Sequence, residues 1–223
     1  MIQNKANPAR PPKGAAADAS APPARKRGRP RAYDPEAALK EAMGRFWDAG
    51  YAATSLDHLS EATGMNRPSL YGAFGDKKAL YLKTLDAYRA MGRTAMAEAL
   101  AGSDSLAAAL GRVYAKALDI YLSGPVAARG CYLLGTAATE SVLDPDIRAA
   151  FADGLHELDA LITERIRLAH RRGEIDKKTD AAVLAKLVIG FLNTLSLRAR
   201  AGESRAALQA LADAGVRLIS AKG

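Results

Sequence analysis

From residue 34 onward, apolar residues recur at the three- and four-residue spacing of helix faces. Residues that start and stop helices punctuate the pattern. Leu39, Met43, Phe46 and Trp47 predict a first helix, capped by Asp34 with Pro35 in its first turn and closed by Gly50. Leu56, Leu59 and Ala62 share one face of a short second helix, with Ser55 as cap and Gly64 as stop. Asn66 caps a third, with Arg67, Pro68 and Ser69 in its first turn and Leu70 and Phe74 turned inward. A fourth starts at Lys77 and runs through Leu80, Leu85 and Tyr88 toward Leu100. Further helices are expected over 105–123, 130–141, 145–172, 180–201 and 203–221. Gly102, Gly124-Pro125, Asp144-Pro145, Gly173 and Gly202 separate them. No strand-type alternation persists and no internal repeat is visible. The expectation is an all-α chain of nine helices.

Residues 54–81 carry the most specific information. Two short helices flank a tight glycine turn, and the start of a third follows at once. Arg67, Ser69 and Tyr71 are left at or near the exposed N-terminal end of the second of the pair. That is helix-turn-helix geometry, in which such residues meet base edges in the major groove.

FWDAGYAATSLDHLSEATG (46–64) followed by MNRPSLYGAFGDKKALY (65–81) resembles the DNA-binding head of the TetR/AcrR family of bacterial repressors. The shared elements are an aromatic with Gly-Tyr closing helix one, a Thr-Ser cap, a Gly turn, Leu-Tyr-x-x-Phe, and Lys-x-x-Leu. Gly72 and Ala73 stand where the family often has Tyr and His, and Ser60 stands where Ala is usual. The first two departures remove contacts that those side chains would make to phosphate or base. The fold is unaffected, because Leu70, Tyr71 and Phe74 remain.

The resemblance implies a three-helix DNA-binding head over 33–82 and a six-helix effector-binding and dimerisation domain over 83–223. It implies double-stranded operator DNA, a small-molecule effector and a second copy of the chain as partners, with no cofactor. Arg67 is expected to reach a base, with Asn66, Pro68 and Ser69 around it. Tyr71, Lys77 and Ser55 are expected to hold phosphates.

Composition and charge refine this picture. The chain has 223 residues, 49% hydrophobic and 25% charged, in the range of a globular protein. A single Cys excludes an internal disulfide and suits a reducing compartment. No apolar run is read as approaching the ~20 residues of a membrane span. No signal-peptide pattern opens the chain, so a cytoplasmic protein without membrane contact is expected. The formal net charge is +8, and residues 1–32 alone account for +7, whereas residues 33–80 sum to −2. The tail also holds six of the ten prolines and few large apolar residues, and it is read as a disordered basic segment. Its run RKRGRPR (25–31) resembles an AT-hook. Arg27, Arg29 and Arg31 supply charge for an A·T-rich minor groove, while Gly28 and Pro30 shape the backbone. An unspecific phosphate-binding arm accounts for the run equally well.

The segment AAVLAKLVIGFLNTLSL (181–197) is interrupted by one charge, Lys186, and such a helix must bury more than one face. With the last helix it is expected to form a two-fold interface through Leu187, Leu195, Leu208, Leu211, Gly215 and Leu218. Candidate effector contacts are the polar residues set in apolar helices, Thr136, Thr139, His156, Asn193 and Thr194. The aromatics Tyr88, Tyr114, Tyr121 and Phe191 are candidates for the walls. Cys131 is a further candidate, because Arg129 or a helix N-terminus can lower a thiol pKa. The three histidines, His58, His156 and His170, are scattered, and no metal-site spacing occurs.

The leading reading is a homodimeric repressor released from a palindromic operator by a small molecule. An architectural, A·T-rich DNA-binding protein without an effector and a thiol-based redox or electrophile sensor through Cys131 remain alternatives. An enzyme is not expected. No nucleophile–base pair, phosphate-binding Gly loop or paired-carboxylate motif is present, and Glu140 with Asp144 is the nearest carboxylate cluster.

Overall fold

Most of the helices open on a side chain the sequence supplies for the purpose. Asp34 accepts from the Glu36 amide at 2.9 Å and opens α1, Pro35–Ala49. Ser55 accepts from the His58 amide at 3.2 Å, and His58 Nδ1 accepts from the Ser55 amide at 3.3 Å, a reciprocal cap on α2, Leu56–Thr63. Asn66 accepts from the Ser69 amide at 2.9 Å and opens α3, Arg67–Phe74. Asp76 accepts from the Ala79 amide at 2.7 Å and opens α4, Lys77–Leu100. Ser105, Asp144, Asp180 and Ser204 cap α5 (Leu106–Tyr121), α7 (Pro145–Arg172), α8 (Ala181–Arg200) and α9 (Arg205–Ser220) in the same way. A cap of this kind is worth ~1 kcal/mol against Ala.

The exception is α6, which begins as a π-helical turn over Leu133–Ala137 and ends as Ala138–Glu140. It has no side-chain cap. The Thr136 hydroxyl instead bonds the Tyr132 carbonyl at 2.8 Å and the Tyr81 hydroxyl at 2.8 Å. The apolar periodicity of 130–141 gave no sign of this wider turn.

This computed structural model describes residues 34–221 except 103, 125, 126 and 177. Nine helices and no strand occur among the described residues. The basic run carrying Arg27, Arg29 and Arg31 lies outside them.

Two clusters of buried side chains hold the helices together, and their boundary does not fall at residue 82. The first begins in the head with Phe46, Trp47, Leu59, Leu70 and Phe74. It continues through Leu80, Tyr81, Leu85 and Tyr88 of α4 to Tyr132 and Leu133 of α6 and Ile147 of α7. The three-helix head therefore has no core of its own. At ~1.5–3 kcal/mol for each large apolar side chain buried, this shared cluster ties the head to the helices behind it. Ion pairs follow the same seam. Arg129 Nε lies 2.7 Å from Asp48, and Lys78 Nζ lies 3.2 Å from Asp144 and 2.7 Å from Asp146.

The second cluster joins α5, α7, α8 and α9 through residues such as Leu110, Leu118, Ile162, Val188, Leu195 and Leu208. Contrary to the sequence expectation, one helix, Ala181–Arg200, is long and apolar enough by length and composition to cross a bilayer. In this fold one side of it belongs to the second cluster, and Val183, Leu187 and Leu197 on the other are exposed.

Candidate nucleic-acid interface and internal cavity

The turn between α2 and α3 depends on Gly64, which sits in the left-handed region at φ 65°. Leu59 and Leu70, fully buried, clamp the two helices from below. The outer surface of α3 is thereby fixed. Asn66, Arg67, Pro68, Tyr71 and Gly72 are exposed, and Ser69 is half-buried among them. Asn66 and Ser55 use their side-chain oxygens as caps, which leaves the Asn66 amide NH2 and the Ser55 hydroxyl hydrogen available as donors.

Arg67 is already paired. Its Nε and Nη2 both donate to one Asp57 carboxylate oxygen, at 2.8 and 2.5 Å. The guanidinium beside it holds the Asp57 carboxyl below its ordinary value, through the hydrogen bond first and the charge second. Both side chains are more than half exposed, so the pair adds little to stability. What it does is aim the guanidinium. Sequence reasoning missed Asp57, because ten residues and a turn separate the partners and no helical period connects them.

Lys77 does not reach into solvent as expected of a phosphate contact. Its Nζ lies over the Tyr51 ring, 4.3 Å from the centroid, and burial lowers its pKa.

Behind the head, α4 forms one wall of a cavity of about 90 Å³. Three expected residues line it: Tyr88, Tyr121 and Cys131. Sequence reasoning missed the rest of the wall, which includes Met96, Val113, Ile120, Leu158 and Leu192, together with Arg89, Lys116 and Glu157. Gly154 belongs to it as well. A Cβ at that glycine would stand 2.5 Å from a Leu133 methyl and 3.4 Å from Arg89, so a larger residue would require the Leu133 side chain to shift.

The other candidate pocket residues lie elsewhere. Tyr114 is fully buried, and its ring faces Phe191 at 6.4 Å. Thr136 is held by Tyr81, and Thr194 donates to the Gly190 carbonyl at 3.0 Å. Thr139 and His156 are exposed, and Asn193 is half-buried away from the cavity. Phe191 packs on Gly215. Each lies on a helix that touches the cavity or neighbours one that does, but on another face.

The expectation that Arg129 lowers the Cys131 thiol is corrected. Arg129 is engaged by Asp48 and lies over the Trp47 ring at 5.6 Å. Burial pushes the thiol up, only partly offset by backbone amides at the start of α6 and the Tyr88 hydroxyl 3.5 Å away. The segment carrying it is pinned to α8. Gly130 takes φ 67°, where a Cβ would stand 2.8 Å from the Ser196 carbonyl oxygen, and the Cys131 amide donates to the Ser196 hydroxyl at 2.7 Å.

The expected interface residues divide. Leu195 and Leu208 are fully buried within the protomer, and Gly215 is covered by Phe191. Leu187 is 56% exposed, Leu218 is 72% exposed and Leu211 is half-buried. Val183 and Leu197 join them in the open. Val183, Leu187, Gly190, Thr194 and Leu197 form one stripe along α8, and Ala207, Leu211, Ala214 and Leu218 form another along α9. Among the described residues no group of His, Cys, Asp and Glu could hold a metal ion.

Comparison with known proteins agrees with this architecture. Residues 38–84 match the model of the bacterial regulatory proteins of the tetR family, and residues 107–214 match the tetracyclin repressor-like C-terminal domain. The chain is 32% identical over 195 residues to the HTH-type transcriptional repressor ComR of Escherichia coli, covering 86% of this chain and 91% of that one. It is 29% identical over 181 residues to the HTH-type transcriptional repressor BdcR of the same organism, covering 79% and 84%. Among solved structures, a cysteine-substituted form of the TetR family regulator CifR, complexed with 26-base-pair operator DNA, superimposes with a TM-score of 0.77 at 31% identity. That match covers 85% of this chain and 98% of CifR. The reduced form of NemR from E. coli shares the fold, with a TM-score of 0.73 at 20% identity over 85% and 98% of the two chains. From its helix-turn-helix head to its last helix, the chain belongs to the TetR family of DNA-binding transcriptional regulators.

Proposed function

We propose that the protein is a homodimeric repressor whose α3 helices occupy successive major grooves of a palindromic operator, and that a small molecule in the α4–α8 cavity releases it. The observation that carries this reading is the course of α4. Its first turn packs against the DNA head through Leu80 and Tyr81, and further along its length Tyr88 and Met96 line the cavity. A molecule that presses on this wall of the cavity displaces the helix on which the head rests. Relatives named as repressors, and an operator complex of a regulator 31% identical, support the DNA half of the reading.

In this reading Arg67 meets a base, and Tyr71, Ser55 and Asn66 approach phosphates. The exposed stripes of α8 and α9 form the two-fold contact, which sets half-sites about one or more turns, ~34 Å each, apart. A cytoplasmic location is part of this reading, and operator DNA as partner supports it. Selection of bound sequences from random DNA, followed by footprinting, tests the proposal. A two-fold symmetric footprint is expected, and a footprint following any A·T-rich stretch would instead favour an architectural role. Reciprocity gives a second check. An effector that weakens operator binding must itself bind more weakly, by the same factor, when operator is present.

A further inference from the structure

No packed neighbour requires glycine at position 72. Gly72 lies in the body of α3 with ordinary helical backbone and is not among the glycines of positive φ. A Cβ built on it would meet nothing within 4 Å. Glycine inside a helix is about fivefold less favourable than alanine, and nothing within the protomer offsets that here.

Its place on the helix suggests what does. Leu70 and Phe74 turn inward to the core. At about 100° per residue, Gly72 lies roughly 180° around from the midline between them, at the outermost point of α3. Pro68, one turn earlier, is its neighbour there, and both are exposed. Neither carries a hydrogen-bonding side chain. The Leu70 amide donates to the Asn66 carbonyl and the Gly75 amide to the Tyr71 carbonyl, each at 3.0 Å, so the helical ladder runs past Gly72. The Gly72 N–H is therefore spent inside the helix, and its Cα hydrogens are what it shows outward. A polar base edge pressed against them would lose water and gain no partner. The apolar group that bases present in the major groove is the thymine C5-methyl.

Resting on α3 as the helix that reads the operator, we infer that Gly72 sets specificity by leaving room for a thymine methyl. The methyl occupies the space that a Cβ would fill, and the polar contacts come from Arg67, Ser69 and Tyr71 around it.

The test moves one methyl group between protein and DNA. Full-length protein and its Gly72→Ala variant are compared on the duplex selected from random DNA. Each thymine in turn is replaced by deoxyuridine in both half-sites, and affinity is read by fluorescence anisotropy. For the unaltered protein, loss of the critical methyl should weaken binding about fourfold. Gly72→Ala should weaken binding to the thymine duplex about tenfold, because two methyls then compete for one space. For that variant the order should reverse, with the deoxyuridine duplex bound more tightly than the thymine duplex. Gly72→Ala should also melt about 2 °C higher, since alanine favours the helix. Gly111 on α5 likewise has nothing within 4 Å of a Cβ, and Gly111→Ala should stabilise without weakening operator binding. The inference is overturned if Gly72→Ala binds as tightly as the unaltered protein, if no thymine shows the reversal, or if Gly111→Ala loses affinity equally. Gly72→Glu separates this failure from failure of the reading beneath it. If Gly72→Glu leaves operator binding intact, α3 does not face DNA and both fall. If Gly72→Glu abolishes binding while Gly72→Ala is harmless, α3 faces DNA and only the thymine seat falls.

Discussion

Trp47 and Tyr88 meet edge to face, with ring centroids 5.2 Å apart and planes at 84°. Trp47 belongs to the last turn of α1 in the DNA-binding head, and Tyr88 lines the cavity. Tyr132 completes the cluster, 5.4 Å from each. One layer of rings therefore lies between the cavity and α1, which packs on α2 and α4 of the same cluster. Such a contact has specific geometry and contributes ~0.5–1.5 kcal/mol beyond simple burial. A double-mutant cycle of Trp47→Leu and Tyr88→Leu, measured by urea denaturation, should give a coupling energy of about 1 kcal/mol. Tyr88→Leu alone should also weaken the dependence of operator affinity on effector. Additive effects of the two changes would mean the rings are neighbours without being coupled.

The Asp57–Arg67 pair makes a prediction about specificity. Arg67→Ala should weaken binding to the selected operator by about tenfold to a hundredfold and relax preference at one base pair. Asp57→Ala should act differently. It frees the guanidinium to swing toward phosphates and removes a negative charge from the DNA-facing side, so affinity for random DNA should rise while discrimination falls. Competition binding with specific and random duplexes reads both. Equal losses on the two duplexes for Arg67→Ala would identify Arg67 as a phosphate contact.

The divided fate of the apolar residues on α8 and α9 separates assembly from folding. Leu187→Asp and Leu218→Asp place a charge on exposed stripes, and they should yield folded monomers with operator binding strongly reduced. Leu195→Asp and Leu208→Asp bury an unpaired charge and should fail to fold. Sedimentation and far-ultraviolet circular dichroism distinguish the outcomes. Dimers that survive both exposed substitutions would place the interface elsewhere.

Tyr81, Tyr88, Tyr121 and Tyr132 all have their phenol pKa pushed up from 10.0 by burial. The sign follows from linkage. Above about pH 10 the unfolded chain loses these protons while the folded protein keeps them, so stability is complete below that pH and falls as pH rises. Each tyrosine can contribute up to about 1.4 kcal/mol per pH unit in that window. Denaturation midpoints should therefore drop steeply above pH 10, and Tyr132→Phe should make the drop shallower. A midpoint independent of pH in this range would contradict the burial of these phenols.

The Cys131 thiol has its pKa raised by burial, so little thiolate exists at neutral pH. Alkylation by iodoacetamide should be slower than that of an unfolded cysteine peptide at the same pH. Cys131→Ser should retain operator binding. Alkylation faster than the peptide's would restore the thiol-sensor alternative.

Local physics set much of this protein. The caps Asp34, Ser55 and Asn66, the left-handed turn at Gly64 and the periodicity of Leu59, Leu70 and Phe74 depend on residues within a few positions of one another, so the sequence alone placed the helix-turn-helix and the exposed face of α3. The count and order of the helices followed for the same reason. Long-range contact decided the rest. Whether an apolar residue on α8 is core, as Leu195 is, or open surface, as Leu187 is, depends on where α5, α7 and α9 lie against it. Hydrophobicity is the same in both cases. The pairing of Arg67 with Asp57, the capture of Lys77 by Tyr51 and the meeting of Trp47 with Tyr88 join residues that no helical period connects. The cavity is the extreme case, since it is the space left where five helices fail to fill their common centre. Its wall is chosen by how those helices pack, which no single segment of sequence encodes.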